Sequence, residues 1–187
     1  MLTQLRKLPI SIQLLSAAAA LLSSAAPARL PAEPIPLEKL LSAPFPSQMA
    51  PAPVGGRIAW VVNERGVRNL WVAGPPDYQG RRLTSYSADD GQDITTLEWT
   101  PDGSQILYVR GGSANGQGEI PNPVSNPAGA EQAIWRISAE GGDPVRIGVG
   151  SEPTVSPKGD GIAFLRRGTI FWAPLGGDSK AEPIALV

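Results

Sequence analysis

"WTPDGSQILYVRGG", residues 99–112, decides the fold, because the chain writes it again. It returns as "VSPKGDGIAFLRRG", residues 155–168, and in blurred form as "PAPVGGRIAWVVNE", residues 51–64. A sentence repeated within one chain marks repeated architecture. With Pro53, Pro101 and Pro157 in register, Gly55, Gly103 and Gly159 stand two residues on. Ile58, Ile106 and Ile162 follow, and then an aromatic each time: Trp60, Tyr108 and Phe164. Further along, an aliphatic–aromatic pair recurs as Leu70-Trp71, Ile134-Trp135 and Ile170-Phe171, with Gly141-Gly142 and Gly176-Gly177 after the second and third pairs.

The physics of one unit is readable from these residues. Thr100-Pro101-Asp102-Gly103 has the makings of a type I turn, and Ser156-Pro157-Lys158-Gly159 repeats it. The first unit departs from the pattern, with Val54 and Gly55-Gly56 in place of the acidic turn. Beyond each turn the Ile and the aromatic are two apart, so they face one side of a strand. Strands are expected at Thr95–Trp99 and Glu152–Val155 before the turns. Weaker fourth strands are expected at Val145–Ile147 and Pro183–Val187. Four short antiparallel strands every ~40–50 residues is the pattern of a propeller blade.

The expected fold class is therefore all-β: a partial β-propeller of about three four-stranded antiparallel blades. The blades are placed at about 47–93, 94–150 and 151–187. A lone blade cannot bury both faces, so each Ile and aromatic is expected to pack on a neighbouring blade, at roughly 1.5–3 kcal/mol per buried aromatic. Three blades leave two terminal faces uncovered, with Trp60 and Phe164 expected to meet water. Such an array is expected to aggregate or to assemble with copies of itself.

Composition narrows the function classes. Lys and Arg total 16 against 17 Asp and Glu in 187 residues, a formal net charge of −1. No basic field points to nucleic acid or to anionic lipid. Gly 21 and Pro 20 suit a turn-dense β protein. There is no Cys, hence no disulfide, thiolate metal site or cysteine nucleophile, and no His, hence no Ser-His-Asp triad from this sequence.

Upstream of the repeats the grammar changes. Residues 1–28 set Arg6 and Lys7 before an apolar run from Leu8 to Leu22, then offer Ala26-Pro27-Ala28 for cleavage, the order of a signal peptide. The run is short of the ~20 apolar residues of a membrane span. Residues 29–46 read as a Pro-rich linker around one helical turn, Leu37 to Leu41. The expectation is an exported protein, periplasmic or secreted, with no membrane contact beyond the leader.

"TPDGSQILYVRGG" and "SPKGDGIAFLRRGTIFWAPL" resemble the Pro-Asp-Gly propeller repeats of TolB-like proteins and of the prolyl oligopeptidase family of serine peptidases. The opening "LLSAPFPSQMAPAPVGGRIAWVVNERGVRNLWVA" and the later "YSADDGQDITTLEWTPDG" look most like the N-terminal propeller of exported bacterial members of that family. The resemblance covers residues 37–187. It implies a propeller that filters peptides on their way to a C-terminal α/β-hydrolase domain whose serine sits in a G-x-S-x-G elbow. Neither the elbow nor a His is present, so no catalytic residue carries over and this chain alone is not expected to be an enzyme. Family propellers have seven or eight blades, and three are counted here, so the chain looks like a truncated segment. The alternative is a TolB-like periplasmic interaction propeller, which binds proteins without catalysis. A carbohydrate-active propeller is a weaker third reading.

Four arginines, Arg65, Arg68, Arg81 and Arg82, are the candidate substrate contacts, able to hold a peptide carboxylate through bidentate pairs. Arg166-Arg167 shares the chemistry. The other readings are structural. Asp89, Asp90 and Asp93 with Glu98 miss the spacing of a calcium loop and read as a solvated turn. The long loop 111–131 reads as an entrance lining or a mobile segment. The five tryptophans, Trp60, Trp71, Trp99, Trp135 and Trp172, read as inter-blade packing rather than sugar stacking. No cofactor and no metal are expected.

Overall fold

The computed structural model describes residues 34–175 and 184–185. The expected leader lies outside the described residues, as does most of the linker. Its helical turn is present as α1, Leu37–Leu41, with no buried side chain. Among the described residues no helix is long and apolar enough to cross a membrane.

Pairs of hairpins build three sheets. The first sheet joins β1 (Phe45–Pro51), β2 (Ile58–Glu64), β3 (Val67–Ala73) and β4 (Arg81–Arg82) in sequence order. The second joins β5 (Ile94–Trp99), β6 (Gln105–Arg110), β7 (Ala133–Ser138) and β8 (Val145–Val149). The third joins β9 (Ser151–Val155), β10 (Gly161–Arg166), β11 (Thr169–Pro174) and β12 (Ile184–Ala185). Every pairing is antiparallel. The first strands adjoin one another, β1 against β5 and β5 against β9. The sheets thus stand round a common inner edge as blades: the fold is a partial β-propeller of three four-stranded blades.

The linker expected to run to Pro46 ends earlier, since Phe45 and Pro46 already pair with Asn63 and Val62. Pro46 is accommodated because β1 is an edge strand, where a missing N–H costs little. The first turn, despite its altered residues, closes like the others. Ala52 N donates to Arg57 O at 2.8 Å, as Thr100 N does to Gln105 O at 3.0 Å and Ser156 N to Gly161 O at 2.9 Å. Gly103 and Gly159 close their turns at φ of +68° and +73°, a region side chains rarely adopt. Each also touches the turn of the preceding blade, where a Cβ on Gly103 would meet Val54 at 3.0 Å and one on Gly159 would meet Pro101 at 3.4 Å.

The inner strands share a feature that the sequence pattern did not announce. Gln48, Thr96 and Glu152 each stand five residues before the turn proline, and each has a left-handed φ, of 54°, 53° and 51°. The register shifts at all three places, so each inner strand carries a β-bulge.

Packing divides each blade into an upstream and a downstream face. Ala59, Val61, Leu70 and Val72 on the downstream face of blade one enclose Ile106, Tyr108 and Ile137 on the upstream face of blade two. Leu107, Val109 and Ile134 on the far side of blade two meet Ile162, Phe164, Phe171 and Ala173 of blade three. The repeated Ile and aromatic therefore always point upstream. Trp135 packs at the margin of the first of these cores. Phe164, expected to meet water, is instead buried between blades two and three, because the open face of blade three is its downstream one.

Polar links stitch the same seams. Trp99 Nε1 donates to Ala50 O at 3.0 Å, and Arg57 pairs with Glu140 at 2.6 Å. Between blades two and three, Val155 N donates to Glu98 Oε1 at 2.8 Å and Arg136 to Leu175 O at 2.6 Å.

Candidate functional site

The hairpin joining β2 to β3 turns at Arg65-Gly66, and Gly66 N donates to Asn63 Oδ1 at 2.9 Å. Arg65, in a left-handed conformation, is thereby set at the tip with its side chain exposed. Across the sheet Arg82 pairs with Trp71 in register. Together Arg65 and Arg82 border a groove of about 380 Å³ on the upstream face of blade one, whose lining includes Glu64, Trp71, Ser85 and Ser87.

The floor of the groove is fixed by Asn69, which is buried. Its Nδ2 donates to Tyr86 O, and its Oδ1 accepts from Tyr86 N and from Thr84 Oγ1, each at 2.9 Å. Thr84 Oγ1 in turn accepts from Leu70 N at 2.9 Å. One amide thus pins the segment after β4 to β3 and holds Ser85 and Ser87 at the groove.

The four candidate arginines separate into two pairs. Arg68 is taken by carboxylates, Asp93 at 3.0 Å and Asp89 at 3.9 Å, and also donates to Gly66 O. Arg81 donates to Ala139 O at 2.8 Å and Glu140 O at 3.0 Å, clasping blade two. Arg65 and Arg82 have no carboxylate within 4.0 Å among the described residues. The repeat explains why Arg82 is open. Its counterpart in blade two, Arg146, is held bidentate by Glu131 at 2.8 Å in both contacts, and the counterpart of Glu131 is Val67. The Arg146 hydrogen bonds hold the Glu131 carboxyl below its usual range.

The acidic run is bound up in structure. Asp89 and Asp93 meet Arg68, Asp90 meets Arg110, and Glu98 holds the backbone of β9. Arg110 also lies over the Tyr86 ring, 4.2 Å from its centre, a cation–π contact. Tyr86 and Tyr108 share a hydrogen bond of 2.8 Å. Burial, and then the neighbouring Tyr86, pushes the Tyr108 hydroxyl above its ordinary range. Among the described residues no group of three His, Cys, Asp or Glu side chains is placed to hold a metal.

The loop 111–131 is exposed through most of its length and built from asparagine-centred turns. Asn115 Oδ1 accepts from Gln117 N and Glu119 N, and Asn122 Oδ1 accepts from Asn126 N. It leans on the acidic run, since a Cβ on Gly91 would strike Pro123 at 2.3 Å.

What the groove can do is bind. Two guanidinium groups beside hydroxyls and an indole ring suit an anion with an apolar neighbour, and a carboxylate is the simplest such group. Sequence reasoning named both arginines and missed Asn69 and Thr84. The available signal was an Asn and a Thr inside runs otherwise patterned for strand.

No protein-family model and no curated protein matches the chain. Among solved structures, the chain is similar to TolB from Acinetobacter baumannii, with 16% identity, a TM-score of 0.48, and coverage of 75% of this chain and 31% of that one. It is similar to an oligogalacturonate lyase in complex with manganese, with 17% identity, a TM-score of 0.44, and coverage of 65% and 31%. It is also similar to an acylaminoacyl peptidase in complex with Z-Gly-Gly-Phe-chloromethyl ketone, with 18% identity, a TM-score of 0.49, and coverage of 76% and 25%. The chain thus spans about a third or less of the length of each of these proteins.

Proposed function

We propose that this chain is the propeller segment of an exported serine peptidase of the prolyl oligopeptidase type. It would control which peptides reach an α/β-hydrolase domain that is not part of these 187 residues. The observation that carries the reading is a coupling between the segments on which the resemblance rests. Arg68, from "RGVRN", is paired with Asp89 and Asp93, from "DDGQD", which form the connection into the second blade. Arg65 and Arg82 are the residues proposed to hold a peptide carboxylate at the groove, with Trp71 beside the peptide's terminal side chain. Export follows from the leader, which is proposed to be removed after Ala28.

Titration calorimetry with a short peptide bearing a free C-terminal carboxylate, and with its C-terminal amide, tests the groove. The carboxylate form is expected to bind roughly tenfold more tightly, since a charge-assisted hydrogen bond contributes about 1.5–3 kcal/mol. The Arg65→Met, Arg82→Met double variant should erase the difference. Equal responses to carboxylate and amide would remove the arginines from the reading. The genomic DNA beyond codon 187 tests the peptidase assignment: G-x-S-x-G followed by Asp and His supports it, whereas further blades and a stop point to a binding module.

A further inference from the structure

Asn115, Asn122 and Asn126 all shape the loop 111–131, and only Asn115 is followed by a residue with a backbone N–H. Asn122 precedes Pro123 and Asn126 precedes Pro127, whereas Asn115 precedes Gly116. The asparagines elsewhere, Asn63 and Asn69, precede the bulkier Glu64 and Leu70. The difference is chemical, because the backbone nitrogen after an asparagine is a nucleophile within reach of its side-chain carbonyl carbon. Holding the two in one chain makes their reaction intramolecular.

The fold of the loop arms Asn115 for that step. Its Oδ1 accepts from Gln117 N at 3.0 Å and from Glu119 N at 2.9 Å, while its Nδ2 donates to Glu119 Oε2 at 2.8 Å. Only one orientation of the amide satisfies all three, since N–H groups need the oxygen and a carboxylate needs the nitrogen. Asn115 N also donates to Glu119 O at 3.0 Å, and Gly118 N donates to Asn115 O at 2.9 Å, so the turn is closed on both sides. Gly116 stands in the open. Its N donates to no group among the described residues, and a Cβ on it would have nothing within 4 Å. Two N–H groups aimed at one carbonyl oxygen polarise that carbonyl and stabilise negative charge forming on it, as an oxyanion hole does.

We infer that Asn115 is a self-modification site, at which Gly116 N attacks the side-chain amide while Gln117 N and Glu119 N hold the oxyanion. A bond forms from Gly116 N to Asn115 Cγ, and the Cγ–Nδ2 bond then breaks. The proton lost by Gly116 N ends on the departing nitrogen, which leaves as ammonia, and the product is a cyclic imide. Water opens the imide at either carbonyl, adding hydroxyl to the carbon and hydrogen to the nitrogen. Opening at Cγ gives aspartate, and opening at the main-chain carbonyl gives isoaspartate. Nothing is oxidised or reduced.

Either product puts a new negative charge beside Glu119, in place of an amide that donates to it, so attraction becomes repulsion. Isoaspartate also adds a methylene to the main chain, which takes Gln117 N and Glu119 N out of step with residue 115. The turn between Gly112 and Glu119 is thereby loosened. The loop lies inside the chain, between β6 and β7, and the inference is independent of the peptidase reading and of the arginine groove.

Incubation of the purified chain in neutral buffer, with peptide mapping by mass spectrometry at intervals, tests it beside a synthetic peptide of residues 111–121. Residue 115 is expected to exchange its amide for a carboxylate, as aspartate and isoaspartate together, about tenfold faster in the folded chain than in the peptide. That ratio is below the ~10²–10³ that one donor supplies in a closed active site, because this loop is open to water. Gly116→Ala, for which there is room, should melt like the parent and exchange several-fold more slowly. Conversion in the folded chain no faster than in the peptide overturns the inference, whether or not the variant folds. Aspartate as the sole product overturns it too, since that marks direct hydrolysis by water. An undiminished rate in a folded Gly116→Ala overturns the attack by Gly116 N.

Discussion

Asn69 stands at a strand position whose neighbours Leu70 and Val72 are buried and apolar, yet it is itself only 5% exposed. Burying an amide is tolerated because both its nitrogen and its oxygen are hydrogen-bonded. Replacing it with leucine keeps the branched outline of the side chain and leaves Thr84 Oγ1 and both backbone groups of Tyr86 without those partners. Asn69→Leu is therefore expected to lower stability by about 2–3 kcal/mol, measured by urea denaturation. A change within a few tenths of that of an exposed control substitution would show that water replaces the amide. The candidate arginines teach the same lesson about legibility. Arg68 and Arg81 have the residue type of a ligand contact, and their partners decide otherwise. Those partners lie far along the chain: Arg81 reaches a carbonyl 58 residues on. A one-dimensional pattern carries no record of such a meeting.

At the level of the hairpin, local chemistry was enough to read the fold. A turn proline, a glycine two residues later and apolar residues two apart are contacts between near neighbours, so the sequence displays them directly. Gly103→Val and Gly159→Val should each cost about 1 kcal/mol or more, because the side chain must adopt a left-handed φ. Thermal melting checks both, and unchanged melting temperatures would argue that the turns relax freely. The acidic turn adds a pH signature. Hydrogen bonds from Thr100 and then from Ser104 lower the Asp102 carboxyl from 3.8 to about 2. A carboxyl depressed in the folded state contributes stability above its unfolded value, and that contribution is lost as pH falls through the folded value. Between about pH 4 and pH 2, the parent should therefore lose more stability than Asp102→Asn, and parallel pH curves for the two would contradict this. In the third blade the acid has moved to Asp160, which hydrogen-bonds Ser156 and is likewise lowered.

For the molecule as a whole, the number and order of blades could be read because each is a copy of the same sentence. The direction in which each blade faces could not be read. A period of two says that Ile162 and Phe164 share a side, and only the neighbouring sheet says which side is covered; hence Phe164 is interior and Ile170 is the residue left outside. The absence of histidine has a direct chemical consequence at this scale. The purified chain should take up no fluorophosphonate serine probe, detected on a gel, since no serine here has an imidazole to accept its proton. Labelling abolished by substitution of a single serine would reveal a base of another kind.

The bulges at Gln48, Thr96 and Glu152 change how the inner strands count. Ile94 and Trp99 are an odd number of residues apart, so simple alternation would send them to opposite sides, yet both enter the same core. The extra residue at Thr96 reverses the parity halfway along the strand. Deleting it would act as a spatial frameshift, turning one end of the strand inside out while leaving every remaining side chain chemically intact. The second blade carries its long 111–131 loop between β6 and β7 without disturbing their pairing. Length is therefore free at the periphery of this protein and quantised at its axis, where a single residue, of whatever kind, is the unit that the architecture cannot give up.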